Sequence, residues 1–286
     1  MKRESAKEIH IDNIREFSQR SEISDTQRAL SVSELTSLFL EDAVTDNDKG
    51  LYVKFVRALG KNALPADKAL FCKRLSLLRQ GERKEVSENR DSTAAGAHGK
   101  VAIVRNRYNE EAFSVFSKTI LRPKSVYATS FNQACEAVID GECEFCVLPV
   151  EDSHGGKLFG FYSMLDRYEL KICSSYSIET DEDAESVKYA LVGKKSPDRL
   201  PKSAGWVLEC SVISDDGRFP ADIIEVSHIF EAKLSKIDSM PVEYDDVRQK
   251  YYFSFELQRK NALAFDLYLS VEQPRYSQIG IYPRLK

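Results

Sequence analysis

The chain has 286 residues, 42% of them hydrophobic and 30% charged, the composition of a globular protein with room for two or three cores. Its 41 basic and 45 acidic residues leave a net charge of −4, so no global field selects nucleic acid or an acidic membrane surface as a partner. No apolar run nears the roughly 20 residues of a membrane helix, and the start MKRESAKEIHIDNIREF lacks the apolar centre of a secretory signal. A cytoplasmic protein is expected.

Residues 1–83 read as helical. SVSELTSLFLEDAV opens on a Ser that can cap, KGLYVKFVRALG stops on Gly60, and LPADKALFCKRLSLLRQG has Pro65 near a helix start and Gly81 past its end. The basic run at 73–84 has leucines at helical spacing, which favours an amphipathic surface helix over a nucleic-acid patch. Residues 84–99 are polar, small and aperiodic, a linker.

From Lys100 to about residue 195 short apolar strands alternate with helices. KVAIV, SVYAT, EFCVLPV, LKICSSYSI and VKYALVGKK are the strands, and SFNQACEAVIDG is a helix with Ser130 as cap and Gly141 as stop. That rhythm predicts βαβ units and a three-layer α/β domain, a parallel sheet covered on both faces. Ligands of such sheets lie beyond the carboxyl ends of the strands, and CVLPVEDSHGG puts Glu151, Asp152 and Ser153 at one of those ends. After a linker at 196–205, residues 206–286 read βαββαβ, the ferredoxin-like order.

Cysteines number six and histidines four, with no ligand spacing among them. Cys143 and Cys146 form C-E-F-C, read as strand residues on opposite faces rather than a metal or redox site. The sequence implies no cofactor and no metal.

The segment SFNQACEAVIDGECEFCVLPVEDSHGGKLFGFYSMLDRYELKI resembles the central part of prephenate dehydratases, whose strand runs into Pro-Ile-Glu-Asn-Ser-x-x-Gly; here the positions are Pro149, Val150, Glu151, Asp152, Ser153 and Gly156. The C-terminal module is similar to the ACT regulatory domain of that family through KIDSMP at 236–241, YYFSFEL and IGIYPRL. The two resemblances stand in the family's order over about residues 100–286. They imply a periplasmic-binding-protein-like domain followed by an ACT domain, and, for an active member, the decarboxylating dehydration of prephenate to phenylpyruvate in phenylalanine biosynthesis.

The motifs depart from the family in several places. The family's Gly-Pro-x-Gly-Thr-Phe-Ser loop is replaced by Arg105, Asn106, Arg107, Tyr108, Asn109 and Glu110. Its Thr-Arg-Phe, source of the threonine implicated as the acid, aligns with Val187, Lys188 and Tyr189, and a valine has no proton to give. Asp152 stands for the family's Asn. Only the stretch from Ser153 to Ser186 separates the two positions, so a single lobe is expected where the family has two around a cleft. The departures point to a non-catalytic binding or regulatory protein in which Glu151 and Ser153 cap the next helix. An active lyase, the other reading, would use Glu151, Asp152, Ser153 and Lys188.

In the family the ACT domain binds phenylalanine between paired copies. The corresponding positions are Ala221, Asp222 and Ile223 at the first helix and Asp238, Ser239, Met240 and Pro241 on the strand. The resemblance therefore implies a homodimer through residues 206–286, with phenylalanine or another aromatic amino acid as ligand. The aromatic run Tyr251, Tyr252, Phe253 and Phe255 would be apolar on both strand faces, and a second copy is the expected cover of one face. The N-terminal helices are left for a protein partner.

Overall fold

The computed structural model describes residues 2–17, 25–42, 47–84, 99–154, 156–179, 186–197, 205–215, 218–242 and 245–285. Most of the two expected linkers, 84–99 and 196–205, lies outside the described residues.

Four helices come first: α1 (Lys2–Phe17), α2 (Asp25–Asp42), α3 (Asp48–Leu59) and α4 (Pro65–Lys84). α3 stops where expected, at Gly60, whose φ of 60° suits a residue without a Cβ. Two expected boundaries move. α2 begins at Asp25, so Ser31 is a buried interior residue rather than a cap. α4 runs through Gly81, because a glycine weakens a helix by only about 1 kcal/mol and does not by itself end one. Arg28 on α2 grips the fully buried Asp67 of α4 through Nε and Nη2, one bond to each carboxylate oxygen.

The middle of the chain forms β1 (Lys100–Val104), α5 (Arg107–Phe116), β2 (Lys124–Ala128), α6 (Phe131–Ile139), β3 (Phe145–Asp152), β4 (Gly156–Lys157), α7 (Phe159–Arg167), β5 (Lys171–Glu179) and β6 (Ser186–Gly193). The sheet order is β2-β1-β3-β6-β5, with β4 folded back on β3. Alternation along the strands sends Val101, Ile103, Phe145, Val147 and Leu191 to the face covered by α5, and Ala102, Cys146, Leu148, Ala190 and Val192 to the face covered by α6 and α7. Both faces are covered, so the three-layer expectation holds.

The expectation of a wholly parallel sheet needs correction. β2, β1 and β3 are parallel, but β6 is antiparallel to both β3 and β5. β3, α7 and β5 make the crossover unit, and β6 returns between its two strands. Only residues 180–185 join β5 to β6, too few for the dozen or more of a parallel crossover. A second correction concerns the cysteines: β3 begins at Phe145, so Cys143 lies in the preceding turn, and it joins Cys146 in the same core. All six cysteines are buried and free.

The last part is β7 (Trp206–Ser214), α8 (Ala221–Ser227), β8 (Lys233–Val242), β9 (Asp245–Leu257), α9 (Arg259–Glu272) and β10 (Tyr276–Pro283). The antiparallel sheet has the order β10-β7-β9-β8, the ferredoxin-like arrangement the element order predicts. Phe253 and Phe255 join α8, α9 and the N-terminal helices in one core. Tyr252 faces the other way and packs on α7, 5.4 Å from Phe159 and 5.5 Å from Tyr162 between ring centroids. The aromatic strand is thus covered on both faces. The second cover is the chain's own middle module, where a second copy was expected, because α7 is short and leaves apolar rings facing β9.

Candidate functional site

The carboxyl end of β3 is where the expected site residues meet. Antiparallel register sets Glu151 opposite Lys188 and Asp152 opposite Val187, so the Glu-Lys pair is a cross-strand neighbour pair. Lys188 Nζ lies 3.2 Å from Glu151 Oε2. The other carboxylate oxygen is held by Lys236 of β8, which arrives from the C-terminal module. Burial raises the Glu151 pKa, but Lys188 and Lys236 outweigh it and hold the carboxyl below its ordinary range.

Its neighbours are committed to the backbone. The Ser153 N–H donates to Ser186 O at 2.9 Å, and Ser153 Oγ accepts from the Ser186 N–H at 3.0 Å. Asp152 Oδ1 accepts from the His154 N–H at 3.0 Å, a local turn. The expected capping role is overturned: α7 has Leu158 at its N-cap with no side-chain bond. β4 folds back on β3 before the helix starts, which carries Glu151 and Ser153 away from its first turn. Gly156 closes that fold-back with φ of 74°, and a Cβ there would stand 3.3 Å from Lys236 Nζ. The positive φ is what favours glycine here, since a lysine tip can move aside by the few tenths of an ångström a Cβ would need.

Glu151, Asp152, Ser153, Ser177, Ser186, Lys188 and Arg284 line a cleft of 250 Å³. Arg284 is also paired, its Nη1 2.9 Å from Glu256 Oε1. Hydroxyls, two cations and two acids make the lining strongly polar. Such a cleft can hold a small carboxylate through Lys188 and Arg284, but Val187 contributes no proton donor to it. Sequence reading found four of these residues. Ser177, Ser186 and Arg284 were missed, since they come from the neighbouring strand β5, the first residue of β6 and the stretch after β10.

The C-terminal set is split. Ala221 and Asp222 are exposed, with Asp222 Oδ2 accepting from Gln273 Nε2 at 2.7 Å. Ile223 is a buried core residue. Asp238 and Met240 face the middle module: Asp238 stands beside Gly156, and Met240 Sδ accepts from Tyr252 at 3.5 Å. Ser239 and Pro241 point outward. Alternation along β8 therefore places the two halves of the strand motif on opposite faces.

A second cluster under the same seam was not anticipated. Lys157 of β4 and Glu209 of β7 form an ion pair with both side chains fully buried. Tyr162 donates to Glu209 Oε1 at 2.6 Å, Tyr282 donates to Oε2, and Lys157 Nζ also donates to Tyr162 Oη at 2.9 Å. Burial acts to raise the Glu209 pKa, but Lys157, then Lys188 and the hydrogen bonds, bring it down to about 2. Burial, then the neighbouring carboxylate, drives both tyrosines well above their ordinary range. The signal was present as a lone acid inside the apolar strand WVLECSVI.

No family model matches the sequence, and no curated protein matches it. Solved structures do. Prephenate dehydratase from Streptococcus mutans matches with a TM-score of 0.55 at 15% identity, over 65% of this chain and 99% of its own. Prephenate dehydratase from Arthrobacter aurescens, in complex with L-Phe, matches with a TM-score of 0.49 at 13% identity, over 65% and 90%. The quorum-quenching acylase GqqA matches with a TM-score of 0.49 at 16% identity, over 64% and 94%. The chain has a prephenate-dehydratase-like fold. No described helix is long and apolar enough to cross a membrane.

Proposed function

We propose that this protein is a prephenate-dehydratase-related binding or regulatory protein without dehydratase activity. The observation that carries the reading is the state of Glu151. Its carboxylate is gripped by Lys188 from its own sheet and by Lys236 from the C-terminal module, so it braces two modules and stays ionised at neutral pH. An ionised, doubly paired carboxylate cannot donate the proton that a leaving hydroxyl needs. Val187 stands where the resemblance calls for an acid. The test is conversion of prephenate to phenylpyruvate after subtraction of the spontaneous reaction. No protein-dependent rate is expected, and a rate that scales with protein and vanishes in Glu151→Ala overturns the reading.

One observation favours the alternative, a divergent prephenate dehydratase. Lys188 and Arg284 line one cleft with three serine hydroxyls beside Glu151 and Asp152, and a carboxylate substrate would take the cations from their present partners Glu151 and Glu256. The same assay separates the two readings.

Pairing of two copies through the C-terminal module belongs to the first reading. β8 is the outer strand of its sheet and exposes Ile237, Ser239 and Pro241 along one face, beside an edge that pairing would cover. An aromatic amino acid, phenylalanine first, is the ligand class for the surface at Ala221, Asp222 and Ser239.

A further inference from the structure

The middle and C-terminal modules meet along a second line, where β5 and the end of β6 face β10 and the start of α9. Lys171 opens β5, and its register partner on β6 is Gly193, which puts Lys194 and Lys195 just past the neighbouring strand end. Cys173 Sγ donates to Lys195 O at 3.2 Å and draws that segment back against β5. From the other module Arg259, the first residue of α9, lies 4.9 Å above the centre of the Trp206 ring. Between them is a cleft of 220 Å³ with an apolar floor that includes Ile172 and Leu263.

Among the described residues four cations line this cleft and no carboxylate does. Lys171 and Lys194 donate only to neutral carbonyls, Gln278 O and Ile139 O. Lys195 reaches Glu144 at 3.6 Å with its side chain 71% exposed. Among the described residues Lys171, Lys194 and Arg259 have no ion-pair partner. Asp266, an acid within the field of Lys171, is already bonded to Tyr276 at 2.5 Å. α9 adds to the positive field, since its N-cap Gln258 makes no capping bond and its first turn holds no acid. Like charges brought together from two modules repel one another unless an anion lies between them.

We propose that this cleft binds a small phosphomonoester, and that the bound anion clamps the middle and C-terminal modules together. A single carboxylate leaves most of the charge uncompensated. A phosphomonoester brings nearly two negative charges and three acceptor oxygens, the Arg259 fork and the lysine ammonium groups suit its geometry, and the floor takes a body of a few carbon atoms.

Trp206 is the chain's single tryptophan and lines both this cleft and a neighbouring one at Glu256 and Arg284, so its emission locates a ligand only together with the lysine variants. The full chain is titrated with glycerol 3-phosphate, inorganic phosphate and tricarballylate, each against sodium chloride at matched ionic strength. A saturable change in emission with glycerol 3-phosphate is expected, with a rise in melting temperature at the same concentrations. Lys171→Met and the exposed double change Lys194→Ser with Lys195→Ser should each weaken binding at least tenfold. Absence of a saturable response, a response equal to that in chloride, or affinity unchanged in the Lys194→Ser, Lys195→Ser protein overturns the site. Tighter binding of tricarballylate than of either phosphate overturns the ligand class.

Discussion

Two ion clusters hold the same pair of modules together, and they are built on different principles. Around Glu151 the carboxylate is one-fifth exposed and faces two lysines, with Lys236 itself about one-third exposed. Water reaches this cluster, so its charges are partly solvated and each pair is individually modest. Around Glu209 no side chain of the ion pair is exposed at all. There every lone pair must be met inside the protein, and two tyrosines and Lys157 meet them. The lesson is that the exposed cluster adjusts the seam, whereas the buried one fixes how the modules must fit, because a misfit leaves a bare charge in an apolar core.

Breaking the buried pair gives the largest expected effect. Glu209→Leu or Lys157→Met alone should destabilise the protein by about 3–5 kcal/mol in urea unfolding, while the double change should recover most of that loss. A double variant no better than its parents would mean that the charges do not act as a pair.

Acid sharpens the comparison next. The folded pKa of Glu209, about 2, lies below its ordinary 4.5, so its contribution is fully present above about pH 4.5 and is lost as pH falls toward 2. Glu151 is also depressed and has the same sign. Wild-type stability should therefore fall between pH 4.5 and 2 more steeply than that of the Lys157→Met, Glu209→Leu protein. Parallel curves would remove Glu209 from the account.

The smallest effect belongs to the exposed cluster. Glu151→Gln should cost about 1 kcal/mol at low salt, and most of that difference should vanish in 1 M sodium chloride. The Glu209→Leu penalty should persist in the same salt. Equal salt sensitivity of the two variants would erase the distinction between the clusters.

Much of the architecture is legible in the sequence because it rests on local signals. The α6 boundaries follow from a cap at Ser130, which accepts from the Gln133 N–H at 3.1 Å, and from Gly141 with φ of 76°. The βαββαβ order follows from the alternation of strand and helix periods. Strand direction is different. VKYALVGKK carries the apolar pattern of a buried strand and nothing about which way it runs, and only the brevity of residues 180–185 betrays a hairpin. The Glu151 loop was found as a motif, yet its partner Lys236 lies 85 residues on, in a strand read as part of another site. Contacts between modules depend on surfaces that only the assembled chain brings together, and alternation along β8 then decides that Asp238 faces inward and Ser239 outward.

The core shared by the N-terminal helices and the C-terminal module bears on the order in which the protein is made. Tyr52 bonds to Glu272 across 220 residues, and Lys68 bonds to the same carboxylate across 204. Helices α3 and α4 therefore pack against an element made more than 200 residues later. At roughly 5–20 residues per second the wait is about 10–40 s. Throughout it Phe55 and Phe71, whose stacked rings are fully buried in the finished core, lack the surface of α9 that helps to enclose them. Final packing of the four helices waits for synthesis of α9, and a nascent chain stalled before α9 carries an unfinished apolar face for a chaperone to hold.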